Sequence, residues 1–242
     1  MTIDDTNLRI SLSPSRTADA ASSFARSGII RIGDLFAAEV ADALHRHLDT
    51  DIAWCRAVTQ GDEVWDLAPE LVAEMDSGNE GELLAGLHNR ASTSFQFLFD
   101  SLIVSDDPRA RKARGLLVDR LLDAMNHPAS LDTFRAITGE PAIRLVNGQA
   151  TRYLPGHFLT SHDDGIDGED RVAAYVINFT RNWRADWGGL LQFHNASDDI
   201  PLALKPGFNT IHLFRVPRHH SVSYVAPFAA VPRYAITGWL RR

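Results

Sequence analysis

Cysteine is almost missing from this chain: Cys55 is the only one in 242 residues, so no intrachain disulfide can form and a thiolate metal cluster is excluded. A reducing compartment fits that usage. Positive charge is also scarce, with 24 Lys and Arg against 31 Asp and Glu, a formal charge of −7 and a pI near 5.8. The basic footprint that an obligate nucleic-acid or anionic-membrane partner demands is therefore absent. No apolar run approaches the ~20 residues needed to cross a bilayer. The early residues carry acids, Asp4 and Asp5, where a secretory signal carries a basic stretch, so a cytoplasmic location is expected. What remains is 45% hydrophobic and 23% charged, the balance of a globular protein able to bury one substantial core.

The pattern along the chain points to a single α+β domain over residues 1–242. Residues 1–24 read as a loose lead-in, because their Ser, Ala and Pro show no sustained periodicity. Residues 25–140 read as mainly helical support. Within them Asp34 stands where an N-cap would open a helix bearing Leu35, Phe36, Val40, Leu44 and Leu48 on one face, with His45 and His47 solvated. Ser130 and Gly139 bracket a last short helix. Phe95, Phe97 and Phe99 could line a cleft, but base rates favour core packing. From 141 to 242 the character changes. The runs Ile143–Val146, Val172–Phe179, Leu190–Phe193, Thr210–Phe214, Ser221–Val225 and Tyr234–Leu240 are rich in β-branched and aromatic residues, with Gly, Pro, Asn and Asp between them. Short strands so spaced suggest a jelly-roll barrel, a double-stranded β-helix buttressed by the N-terminal helices.

The informative polar residues fall in this β region. His162 and Asp164 are two apart, and residues i and i+2 of an extended chain project to one face, so an imidazole and a carboxylate can reach the same ion. That pair alone arises often by chance. The candidates for a third ligand are His194, His212, His219 and His220. His220 shares a face with Val222 and Tyr224, whereas His219 shares one with Ser221 and Ser223, so the more apolar face favours His220 as the inward imidazole. Two imidazoles and a carboxylate make the facial triad of non-haem iron(II), with positions left open. Arg233 shares a strand face with Ala235, Thr237 and Trp239, which inserts a guanidinium among apolar neighbours. A buried cation needs an anion, and the planar fork of arginine matches a carboxylate. Tyr153 could add a phenolic hydrogen bond. The acids Asp163, Asp167, Glu169 and Asp170 lack the spacing of a calcium loop and read as a solvated acidic loop.

Taken in order, Tyr153…His162-x-Asp164, Trp183…Gly188-Gly189-Leu-Leu-Gln-Phe193, His220-Ser-Val222 and Arg233-Tyr-Ala-Ile-Thr237-x-Trp239 resemble the 2-oxoglutarate and iron(II) dioxygenases, in particular the prolyl-hydroxylase-like branch. The resemblance covers roughly residues 143–242. It implies a double-stranded β-helix, with His162, Asp164 and His220 on iron and Arg233 with Tyr153 on 2-oxoglutarate. Thr237 would support the same carboxylate, and Asn178 stands where several relatives carry a second co-substrate tyrosine. Fe(II), 2-oxoglutarate and O2 are the implied cofactors, with ascorbate among the accessory reductants allowed. The implied reaction is hydroxylation of a C–H bond in a prolyl or other protein side chain, with a free amino acid or small metabolite as the rival substrate. Because Asp164 keeps its coordinating oxygen, hydroxylation is expected over halogenation. Trp183 and Trp187 read as packing residues. Two other classes compete, a cupin-like zinc enzyme using the same three ligands and a non-catalytic binding module; the Arg233–Tyr153 pair argues against the first.

Overall fold

A computed structural model describes residues 3–60, 63–166 and 168–242. After a short 3-10 turn at Asp5–Leu8, helix α1 runs over Pro14–Ser27. The Ser13 hydroxyl caps it by accepting from the Arg16 N–H, Pro14 occupies the first turn, and Gly28 ends it in the left-handed region at φ 67. The expected loose lead-in over residues 1–24 is thus wrong for the helical part. Capping signals outweighed the weak periodicity, and Ala20 and Phe24 are buried.

Strand β1, Ile29–Ile32, leads into α2, Ala38–Thr50. Asp34 does not cap α2; it turns the chain at φ 48, and Leu35 and Phe36 are buried ahead of a helix whose N-cap is Ala37. His47 is buried and bonds Asp51 through Nδ1 at 2.8 Å, while His45 packs edge-on against Tyr234, so neither is the solvated residue expected.

The expected helical stretch contains three strands. The hairpin β2 (Cys55–Gln60) and β3 (Glu63–Leu67) precedes α3 (Pro69–Glu74) and α4 (Ser77–Ala91). Strand β4 (Phe97–Val104) precedes α5 (Pro108–Arg114), α6 (Leu117–Met125) and α7 (Pro128–Thr138). Most of β4 is buried on both faces, so it lacks the alternation that marks a half-exposed strand. Helix α7 is capped by His127, not Ser130, whose buried hydroxyl donates to the Ala124 carbonyl; Gly139 closes the helix as expected.

The remaining strands are β5 (Leu145–Val146), β6 (Gly148–Tyr153), β7 (Phe158–His162), β8 (Arg171–Asn178), β9 (Leu191–Phe193), β10 (Leu202–Leu204), β11 (Thr210–Arg215), β12 (His220–Val222) and β13 (Arg233–Arg241). They pair antiparallel in the order β1-β11-β8-β13-β6-β4-β7-β12-β9-β10, with β2 also on β4 and β5 on β13. The sheet curls at β4, which pairs β6 through Asp100–Val104 and β7 through Phe97 and Leu98. The result is a double-stranded β-helix, as expected.

Period-two alternation decides what each strand of the larger layer offers. Tyr175 and Ile177 of β8, Ile211 and Leu213 of β11, and Ile236 and Leu240 of β13 join Phe24, Leu44, Leu48, Leu121 and Phe134 of the helices in the main core. The alternate residues, Ala174, Val176, Arg233, Thr237 and Trp239 among them, face the space enclosed by the curl. The helices thus cover one face of the larger layer and free its other face to build a site. No described helix is long and apolar enough to cross a membrane.

Candidate active site

The curl encloses a cavity of about 520 Å³ whose walls come from both layers. His162 stands at the end of β7, opposite His220 on β12, and their rings lie 4.1 Å apart. Asp164 lies beyond the strand end. It reaches the histidines because its backbone adopts φ 61, a left-handed conformation that Asp tolerates better than most residues. The turn, not the extended alternation expected from the sequence, brings the carboxylate around. Asp164 Oδ1 lies 3.4 Å from His162 Nε2, and its Oδ2 lies 3.4 Å from His220 Nε2. These are the residues among those described that can converge on one metal ion.

The imidazole tautomers follow from the backbone. His162 Nδ1 lies 3.1 Å from the Thr160 carbonyl and His220 Nδ1 lies 2.8 Å from the Arg218 carbonyl. A carbonyl only accepts, so each Nδ1 carries a proton, and in that tautomer Nε2 is the nitrogen that turns a lone pair inward. Burial pushes the His220 pKa down to about 4, which keeps that lone pair free at neutral pH. Burial works against ionisation of Asp164, but its polar neighbours His162, His220 and Trp239 outweigh it and hold the carboxyl below its usual range. An ionised carboxylate and two Nε2 lone pairs, oriented by backbone carbonyls, fit an octahedral divalent iron with open positions.

Arg233 lies at the start of β13 opposite Tyr153, with its guanidinium 4.9 Å from the Tyr153 ring centroid. It is 2% exposed, yet no carboxylate among the described residues lies within ion-pair distance, and its Nε has no partner. Burial lowers its pKa, with Tyr153 opposing, and burial raises that of Tyr153. A cation so buried calls for an anionic ligand from outside the chain. Thr237 and Trp239, further along the same strand face, also line the cavity. Gly189 makes room for the arginine: at φ 60 it suits the turn, and a Cβ there would lie 3.2 Å from Arg233 Cδ and 3.1 Å from the buried Trp183 ring. Trp183 and Trp187 meet edge to face at 5.3 Å, in keeping with a packing role.

Some residues sit elsewhere than expected. Asn178 is fully buried but outside the cavity lining, and its Nδ2 reaches the Val176 and Thr210 carbonyls. Tyr224 does not share the inward face of His220 and Val222; the strand ends at Val222, and Tyr224 stacks on Phe158 along an outer groove. His219 is exposed. Asp163 lines the cavity and accepts from the Gly165 N–H, whereas Asp167 lies outside the described residues. Phe95, Phe97 and Phe99 form a wall running from His162 to Tyr153, with successive ring centroids 5.4, 5.8, 5.1 and 5.3 Å apart. The aromatic richness of this stretch is the signal for the cleft reading, which base rates outweigh in the sequence alone. Arg171, which no motif singled out, also lines the cavity.

A curled antiparallel jelly roll with two imidazoles and a carboxylate at one end of its cavity, and within it an arginine without an acidic partner among the described residues, is the arrangement that non-haem iron(II) chemistry requires. Residues 148–241 match the family model of the 2OG-Fe(II) oxygenase superfamily. The fold is similar to that of a prolyl-4-hydroxylase from Pseudomonas putida, with a TM-score of 0.56 at 16% identity over 93% of this chain and 98% of that one. It is also similar to a Trichoplax adhaerens prolyl hydroxylase in complex with a hypoxia inducible factor peptide fragment, with a TM-score of 0.53 at 15% identity over 93% and 89% of the two chains. The alpha-ketoglutarate-dependent epimerase SnoN from nogalamycin biosynthesis matches with a TM-score of 0.59 at 11% identity over 95% and 87%. No curated protein sequence matches the chain.

Proposed function

We propose that this protein is a hydroxylase that couples oxidation of 2-oxoglutarate to insertion of one oxygen atom into a substrate C–H bond, with His162, Asp164 and His220 as the iron ligands. The observation that carries this reading is the Arg233 guanidinium, buried without an acidic partner among the described residues in the same cavity as the three converging donor groups. Arg233 binds the distal carboxylate of 2-oxoglutarate, Tyr153 flanks it, and Thr237 lies on the same wall. A zinc hydrolase using the same three ligands would leave that cation without a role. When bound, the iron supplies dioxygen activation; the chain's own residues position the co-substrate and exclude water from its aromatic wall.

The leading substrate is a prolyl or similar side chain of a polypeptide, supported by the prolyl hydroxylase folds and by an apolar mouth. Val64, Phe95, Ile103 and Ile166 come from separate segments, remain exposed and line the cavity. A small metabolite is the second reading, favoured by the similarity to an epimerase of a biosynthetic pathway. Screening peptides and metabolites for substrate-dependent succinate formation with a mass gain of one oxygen tests both. A substrate-dependent release of succinate without an oxygenated or otherwise oxidised product would contradict the reading.

A further inference from the structure

Arg171, the first residue of β8, lies with its guanidinium 3.6 Å from the centroid of the Trp239 ring. One face of the group is thereby fixed against the wall of the cavity. Its Nη1 donates to the Asp164 backbone carbonyl at 3.1 Å and lies 3.8 Å from Asp164 Oδ1. Its Nε and Nη2 bond Glu169 Oε2 at 2.8 and 2.7 Å. The arginine side chain is 8% exposed. A planar group held by a stack on one face and a carboxylate at one edge has little freedom left, and its remaining edge is directed at a single neighbour. That neighbour, Asp164, is the residue in most need of support: it lies past the end of β7 and holds φ 61.

We infer that Arg171 is a positioning residue for the metal site, holding the left-handed turn at Asp164 and the direction of its carboxylate. Glu169 and Trp239 orient the arginine, the arginine orients Asp164, and Asp164 completes the donor set with His162 and His220. A lysine cannot serve equally, because it lacks both the plane that stacks on Trp239 and the fork that spans Glu169 and Asp164. This inference rests on the proposed role of Asp164 as a metal ligand.

The test is Co(II) affinity, followed by the visible absorption of the bound ion, in wild type, Asp164→Ala, Arg171→Gln, Arg171→Lys and Glu169→Gln. Loss of a group that orients a ligand weakens metal binding by roughly 10- to 100-fold. That loss is expected for Arg171→Gln, with a smaller one for Glu169→Gln, partial recovery in Arg171→Lys, and an altered Co(II) spectrum in the glutamine variant. Thermal melting of the metal-free proteins separates this from unfolding. Should Arg171→Gln fail to fold, the same comparison made with Arg171→Lys and Glu169→Gln decides the matter. Weakened binding in Asp164→Ala with wild-type affinity and spectrum in the folded Arg171 variants overturns the inference alone. Wild-type affinity in Asp164→Ala overturns the ligand assignment beneath it.

Discussion

Replacing Arg233 by methionine should produce opposite effects on stability and on co-substrate binding. The unbranched methionine stem can follow the path of the arginine past Gly189 and Trp183, so the packing seen around Arg233 Cδ is largely retained. In the ligand-free protein the guanidinium is buried with no acidic partner among the described residues, a charge that burial penalises. Its removal should leave metal-free, ligand-free stability unchanged or raise it by on the order of 1 kcal/mol. Binding of 2-oxoglutarate should suffer instead, because a bidentate charge-assisted pair in a desolvated site contributes about 2–5 kcal/mol, or roughly 30- to several-thousand-fold in affinity. Arg233→Lys should recover only part of this, since a point charge does not reproduce the fork. Calorimetry of 2-oxoglutarate binding to the metal-loaded variants, beside chemical denaturation of the metal-free ones, gives both quantities. Unchanged 2-oxoglutarate affinity in folded Arg233→Met would refute the assignment. A fall in ligand-free stability of about 3–5 kcal/mol would refute the claim that the buried guanidinium has no acidic partner among the described residues.

Three further outcomes follow from the same geometry. His220→Ala should lose Co(II) affinity while His219→Ala, which alters an exposed ring, keeps it; metal titration of the two decides the assignment. Gly189→Ala should lower stability by about 1–3 kcal/mol, through a side chain at positive φ and contact with Trp183, and should weaken 2-oxoglutarate binding through contact with Arg233; denaturation and calorimetry check this. His212 is buried, neither ring nitrogen has a partner among the described residues, and burial pushes its pKa down to about 3. The unfolded chain binds a proton there below pH ~6.5 and the folded chain does not until pH ~3, so stability falls with acidity across that window by about 1.4 kcal/mol per pH unit for this residue. His212→Leu should flatten the acid limb of the stability curve by that slope, and an unchanged limb would remove His212 as its source.

Legibility in the sequence depended on what each element faces. Strand β13 was readable because Arg233 and Thr237 interrupt an otherwise apolar run at a period of two, and the structure places both on the cavity wall. His220 was likewise separable from His219, although the same face argument failed at Tyr224, where the strand has already ended. Strand β4 was hidden because most of it is buried on both faces and so shows no alternation, and for Phe97 and Phe99 the core reading therefore outweighed the cleft reading. Helix α1 was missed for the opposite reason: it is mostly exposed, so its caps Ser13, Pro14 and Gly28 carry more information than its hydrophobic pattern. Arg171 was not legible, since its role arises from a turn at Asp164 and an indole on β13, neither of which sequence spacing brings together.

The account's central claim is that one cavity binds a divalent metal through His162, Asp164 and His220 and 2-oxoglutarate through Arg233, so that the metal and the co-substrate share a site. The most direct test is 2-oxoglutarate binding to the wild-type protein with and without Mn(II), a redox-quiet stand-in for Fe(II), repeated on Asp164→Ala and Arg233→Met. Coupling between adjacent sites of this kind amounts to roughly 5- to 150-fold. The prediction is binding that tightens by that order when Mn(II) is present in wild type, loses the dependence in Asp164→Ala and is strongly weakened in Arg233→Met. Affinity for 2-oxoglutarate that is the same with and without metal in the wild-type protein, or no binding to the metal-loaded form, would contradict it.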